Sequence, residues 1–204
     1  MRHSIKSLLS IGVFTAALAA PQAHAQSHSL AHPNAINPYV CDVVGADDFS
    51  STLVNDRGHL TLRVKSSTND NSSYFCTNAG GFAKMTHKFP LDTISAWVKL
   101  TGDFLPTDVF VEIYANDDPT INYFDATTAK QGPTVNGYTL YTWKAKDLGF
   151  PSNSTTSFFG FSINVYDVGS GFITGPALDG HAIPFAAHTI LTCPFSISSQ
   201  CAPG

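Results

Sequence analysis

Thr93-Ile-Ser-Ala-Trp-Val-Lys-Leu100 changes character at every residue, with Ile94, Ala96, Val98 and Leu100 apolar and Thr93, Ser95, Trp97 and Lys99 between them. Successive side chains of a strand leave opposite faces, so this stretch reads as a strand with one apolar face and one mixed face. Three more runs keep the same period. In Asp108–Ala115, Val109, Val111, Ile113 and Ala115 fall in phase; in Ser157–Tyr166, Phe159, Phe161, Ile163 and Val165 do. In His59–Lys65 the phased residues are Leu60, Leu62 and Val64. Gly81–Phe89, Tyr138–Lys144 and Ile183–Leu191 are further strand candidates. Turn-rich clusters separate them at Ser66–Ser73, Asn116–Thr120, Gly149–Thr156 and Val168–Pro176.

Composition agrees with that pattern. The chain carries fourteen Asp and a single Glu, Glu112, with 15 Gly and 12 Pro. Helices favour Glu and turns favour Asp, so short strands joined by loops are expected. The prediction is an all-β fold, an antiparallel β-sandwich.

The N-terminus reads as a secretory signal. Arg2 and Lys6 precede the apolar run Leu8–Ala20, and Ala23-His24-Ala25 has the form of a cleavage site. Residues 1–25 are therefore expected to be removed and the rest to be secreted or periplasmic. Residues 26–38 read as a flexible lead-in, and 39–204 as one sandwich domain with a disulfide-bonded C-terminal tail. No other apolar run approaches the ~20 residues of a membrane helix. Without Arg2 and Lys6, nine Lys and Arg face fifteen Asp and Glu, which disfavours a nucleic-acid partner. Oligomeric state is left open.

Cys41, Cys76, Cys193 and Cys201 form an even set in an exported chain and are expected to make two disulfides. Pairing Cys41 with Cys76 and Cys193 with Cys201 closes local loops. The other two connectivities tie the N-terminal part to the tail. No C-x-x-C spacing points to zinc.

The second half carries a resemblance. Gly137-Tyr-Thr-Leu-Tyr-Thr-Trp-Lys-Ala-Lys-Asp-Leu148 is similar to the tryptophan-strand-leucine segment of galactose-binding-like jelly rolls. Phe158-Phe-Gly-Phe-Ser-Ile-Asn-Val165 resembles their penultimate strand, and Ala177-Leu-Asp-Gly-His-Ala-Ile183 their closing strand, which often carries an aspartate. The resemblance spans about Thr93 to Ile183. It implies a jelly-roll sandwich whose relatives are often carbohydrate-binding modules and commonly hold a structural calcium ion. Asp47 and Asp48, near the first strand, would then approach Asp179 as calcium ligands, since clustered carboxylates suit that ion. The tail from Pro184 onward departs from the pattern.

The faces opposite the predicted core mix rings with hydrogen-bonding groups. The outward sets include Trp97 and Lys99; Phe110, Glu112 and Tyr114; Asn164 and Tyr166; and His59, Thr61, Arg63 and Lys65. Sugars have apolar C–H faces and polar edges, so such a surface suits a glycan. Trp97, Tyr114, Glu112, Asn164, Tyr166 and Arg63 are the candidate ligand-binding residues. The competing reading is a second buried layer covered by loops or the tail.

Asp179 and His181, two apart, could share a strand face in a metal or acid–base site; a strand-end turn is the plainer reading. His28 and His32 lie in the lead-in, and an N-terminal His24 would require cleavage after Ala23. Enzyme classes are disfavoured: with one Glu a carboxylate pair must use Asp, and G-x-S-x-G, H-E-x-x-H and P-loop motifs are absent. The expectation is a secreted, non-catalytic carbohydrate-binding protein that takes a polysaccharide. The alternatives are a structural or adhesion protein of the envelope or extracellular matrix, and a polysaccharide-active enzyme using Asp and His.

Overall fold

The computed structural model describes residues 35–41, 49–67, 78–88, 92–115, 118–149, 155–164 and 167–186. These form β1 (Asn37–Cys41), β2 (Phe49–Asp56), β3 (His59–Ser66), β4 (Asn78–Lys88), β5 (Thr93–Gly102) and β6 (Val109–Ala115). They continue through β7 (Asp118–Asp125), β8 (Lys130–Val135), β9 (Tyr138–Lys144), β10 (Thr155–Asn164), β11 (Gly169–Leu178) and β12 (His181–Ala182). The only helical pieces among them are three short 3-10 turns. One sheet has five strands in the order β1-β4-β10-β6-β7; the other has seven, β2-β3-β11-β5-β9-β8 with β12 beside β11. All strand pairs are antiparallel, and the fold is an all-β sandwich of the jelly-roll type.

The phased apolar residues meet between the sheets. Ile94, Ala96 and Val98 face Val109, Val111, Ile113, Phe159, Phe161 and Ile163, all buried. Trp143 is 1% exposed, lies 6.1 Å from the Phe161 ring, and donates its indole N–H to the Asp125 carbonyl at 3.0 Å. The buried indole thus keeps a partner for its one polar group. Leu60 departs from its run: it is 50% exposed, because it sits at the tip of the β2–β3 hairpin beyond the reach of the other sheet.

Strands replace two of the expected turn clusters. Val168–Pro176 is mostly β11, a central strand between β3 and β5. Its glycines answer crowding. A Cβ at Gly171 would run into the Ile163 side chain of the opposite sheet, and one at Gly169 into the Thr101 carbonyl. Gly175 and Pro176 form a bulge where the register with β5 shifts. In the other cluster, β7 already runs from Asp118. Pro38, Pro119 and Pro133 lie in β1, β7 and β8, each at the edge of its sheet, where a missing N–H costs no ladder bond.

Two further expectations change. Ile36 is fully buried; it accepts from Ala186 N–H at 2.7 Å, donates to the Pro184 carbonyl at 2.8 Å, and bridges Phe185 in parallel. Residues 36–38 therefore belong to the sandwich, and the start of the expected strand Ile183–Leu191 is a single bridge. Ala177–Ile183 is a hairpin: Asp179 and Gly180 have φ of 49° and 77°, so the chain turns and β12 runs back along β11. Arg57-Gly58 and Asn136-Gly137 make the same kind of turn, with both φ values positive. Among the described residues no helix is long and apolar enough to cross a membrane. Residues 1–34, which hold the signal segment, His24, His28 and His32, lie outside the described residues, as do Asp47, Asp48, Tyr166, Cys76, Cys193 and Cys201. Cys41 is described only as a β1 position.

Candidate ligand-binding face

Alternation in β3, β5, β9 and β11 sends one set of side chains into the core and the other onto the outer face of the seven-stranded sheet. The register lines that outer set into rows across the strands. One row runs Thr52–Arg63–Phe172–Lys99 through β2, β3, β11 and β5, and Tyr138 on β9 extends it. The next row holds Thr174, Trp97 and Leu140. Trp97 is half-buried, with its indole edge beside the Gly175 bulge, where a Cβ would stand 3.4 Å from the ring.

A polar network anchors the middle. The Asp56 carboxylate accepts from the Tyr138 hydroxyl at 2.5 Å and from the Lys99 ammonium. Lys99 also lies 4.3 Å from the centre of the Phe172 ring and 4.6 Å from that of Tyr138, cation–π distances that hold it between them. Lys99 and then Tyr138 keep the Asp56 carboxyl below its usual value. Burial, followed by the hydrogen bond to Asp56, pushes the Tyr138 phenol up. Beside this network two polar atoms are orphaned. Thr52 and Arg63 are direct cross-strand partners, and Thr52 Oγ1 and Arg63 Nε are both buried with no hydrogen-bond partner. Buried polar atoms ordinarily find partners, so this cross-strand pair is an exception within the face.

The sequence-predicted residues divide between the two sheets. Trp97 and Arg63 share this face, whereas Glu112, Tyr114 and Asn164 belong to strands of the five-stranded sheet. For Tyr114 and Asn164 the side chains lie outside the described residues. Glu112 cannot join Trp97 on one surface. It is 2% exposed, with its carboxyl oxygens 2.9 and 3.0 Å from the Tyr39 hydroxyl. Burial pushes that carboxyl up to about 7, opposed by the hydroxyls of Ser162 and Tyr39. Ser162 Oγ faces it without reaching good hydrogen-bond geometry. For Glu112 the buried-layer reading is the correct one.

Asp179 serves the backbone: its Oδ1 accepts from the Asp92 N–H at 2.7 Å and the Thr93 N–H at 2.8 Å, fixing the start of β5. His181 is exposed in β12, beyond the turn. No three His, Cys, Asp or Glu side chains converge on a metal-sized centre among the described residues. Sequence reading missed Phe172, Tyr138, Asp56 and Thr52. Phe172 was hidden in the glycine-rich β11; the outward phase of Tyr138 in β9 was the available signal.

No protein-family description and no curated protein matches the chain. Solved structures do show likeness. A Family 30 Carbohydrate Binding Module superposes at a TM-score of 0.44 and 14% identity over 82% of this chain and 91% of its own. A non-crystalline cellulose specific carbohydrate-binding module, CBM28, gives 0.40 and 11% over 66% and 86%. The enzymatically active domain of Bacteriophage CBA120 tailspike protein 4 gives 0.39 and 13% over 70% of this chain, which spans 19% of that one. These are likenesses of general β-sandwich shape.

Proposed function

We propose that this protein is a secreted, non-catalytic carbohydrate-binding protein and that the outer face of the seven-stranded sheet receives the glycan. One observation carries the reading. Trp97 and Phe172 lie beside the Arg63, Lys99, Asp56 and Tyr138 groups on one face of the sheet. Aromatic faces take the C–H side of a sugar, and the polar row takes its hydroxyls. A non-catalytic role agrees with the acids of the face: Asp56, held by Lys99 and Tyr138, is the one carboxylate in these strands.

The test is retention of the protein in gels carrying a range of soluble polysaccharides. Trp97→Ala is expected to weaken retention at least tenfold with little change in melting temperature, since Trp97 lies outside the inter-sheet core. A large fall in melting temperature with unchanged retention overturns the assignment of this face.

A further inference from the structure

Charge is sorted between the sheets in a way the net value conceals. The chain as a whole is at −4. Yet the seven-stranded sheet carries five cations in its strands, Arg63, Lys65, Lys99, Lys130 and Lys144, against one acid, Asp56. The register puts all five cations in the outward phase. Arg63 pairs with Phe172, Lys65 with Ser170 and Lys99 with the same Phe172, while Lys144 pairs with Thr93 and Lys130 with Thr142. Lys99 is paired with Asp56. The other four form no ion pair among the described residues. Asp92 and Asp179 lie before the start of β5, where Asp179 is occupied by backbone N–H groups, and Asp103 lies just past its end.

Resting on the glycan-binding reading, we infer that the ligand is an acidic polysaccharide, a sugar polymer bearing carboxylates or sulfates. The cations run obliquely over the face. Lys65 lies level with Thr101 of β5 and Lys144 with Thr93, a separation of ~27 Å along the strand at its usual rise. Trp97 stands between these ends. A positive strip of that length, broken by an aromatic ring, matches a chain whose repeating units each present an apolar ring face and a negative charge. Arg63 is the most specific element. Its guanidinium, on a side chain that is only partly buried, presents a planar fork that can take a carboxylate or sulfate through two parallel N–H bonds. A neutral glycan would leave four cations uncompensated at its binding surface and would not use the sorting.

The experiment is affinity electrophoresis of the full protein through gels containing polygalacturonate, a sulfated galactan, neutral glucomannan or double-stranded DNA, at low and high sodium chloride. The charge-reversed variant Lys65→Glu/Lys130→Glu/Lys144→Glu runs beside it. All three lysines are exposed, so the variant should melt as the native protein does. The expected result is retention by one of the acidic polysaccharides, weakened by salt as charge contacts are and reduced at least tenfold by the reversal. Which acidic gel retains it separates carboxylate from sulfate. Retention by glucomannan alone, insensitive to reversal, overturns the acidic ligand and keeps the glycan face. Equal retention by DNA overturns it in favour of indiscriminate polyanion binding. Retention by no gel removes the underlying reading itself.

Discussion

Tyr39 and Glu112, 73 residues apart in sequence, meet through phenol and carboxyl at 2.9 and 3.0 Å across two intervening strands of the five-stranded sheet. The register places Gly80 beside Tyr39 and Gly160 beside Glu112. These glycines keep the crossing clear. A Cβ at Gly160 would come 2.6 Å from the Gly81 carbonyl, and one at Gly80 would collide with the Phe161 carbonyl.

That pair makes stability depend on pH with a definite sign. The Glu112 carboxyl moves from a value of 4.5 to about 7 in the folded protein. Between those values the folded state binds more protons than the unfolded one, so its stability falls as pH rises. The contribution is complete below 4.5 and gone once pH passes about 7; for a shift of this size it is on the order of 3 kcal/mol. The urea midpoint of the native protein should therefore drop between pH 5 and pH 8, and Glu112→Gln should flatten the drop. An unchanged slope in Glu112→Gln would assign the pH dependence to other groups. Tyr39→Phe, which removes a donor from the buried carboxyl, should cost about 1–3 kcal/mol at pH 5.

The chain has two tryptophans with opposite surroundings, Trp143 at 1% exposure and Trp97 half-buried on the outer face. Trp97→Phe should leave blue-shifted emission that acrylamide quenches poorly. Trp143→Phe should leave the red-shifted, quenchable emission of Trp97, and only this variant's spectrum should respond to a retained polysaccharide. Equal quenching of the two variants would contradict their placement. Trp143→Ala, which opens the inter-sheet core, should cost about 3–5 kcal/mol.

Asp179 combines a positive φ of 49° with a carboxylate that holds the start of β5. Asparagine keeps an oxygen acceptor and tolerates that backbone region; alanine offers neither. Asp179→Asn should melt close to the native protein and Asp179→Ala several degrees lower, by the same amount with calcium and with a chelator. A melting temperature that rises with calcium only while Asp179 is intact would instead support the calcium site expected with Asp47 and Asp48.

How much of this was legible follows from what alternation reports. It marks strands with a full set of side chains and their own N–H donors, and so it found β3, β5, β6, β9 and β10. Proline and glycine imitate turns, which hid β1, β7 and β8 at the edges and β11 in the middle of a sheet. Missing β11 mattered for the site, because β11 joins the strand of Arg63 to that of Trp97. Alternation also states that Glu112 points away from the core of its strand without stating whether that side is open. That depends on Tyr39, which approaches from another strand and leaves no local periodic trace.

The positions of β10 and β11 have a consequence in time. Each is a middle strand: β10 lies between β4 and β6, and β11 between β3 and β5. Both come from residues 155–178, after every other described strand except β12. During synthesis the earlier strands can form hairpins such as β2–β3, but β3 and β4 wait for their central neighbours until β1 to β9 have been made. Contacts this distant in sequence also close slowly, on the millisecond-to-second scale of β-sandwiches. A nascent chain stopped before Gly169 would hold β2–β3 and β5–β9–β8 with no strand to join them. The strand that joins Arg63 to Trp97 thus leaves the ribosome after the strands on both sides of it, and the outer face of the seven-stranded sheet is complete only once synthesis has passed Leu178.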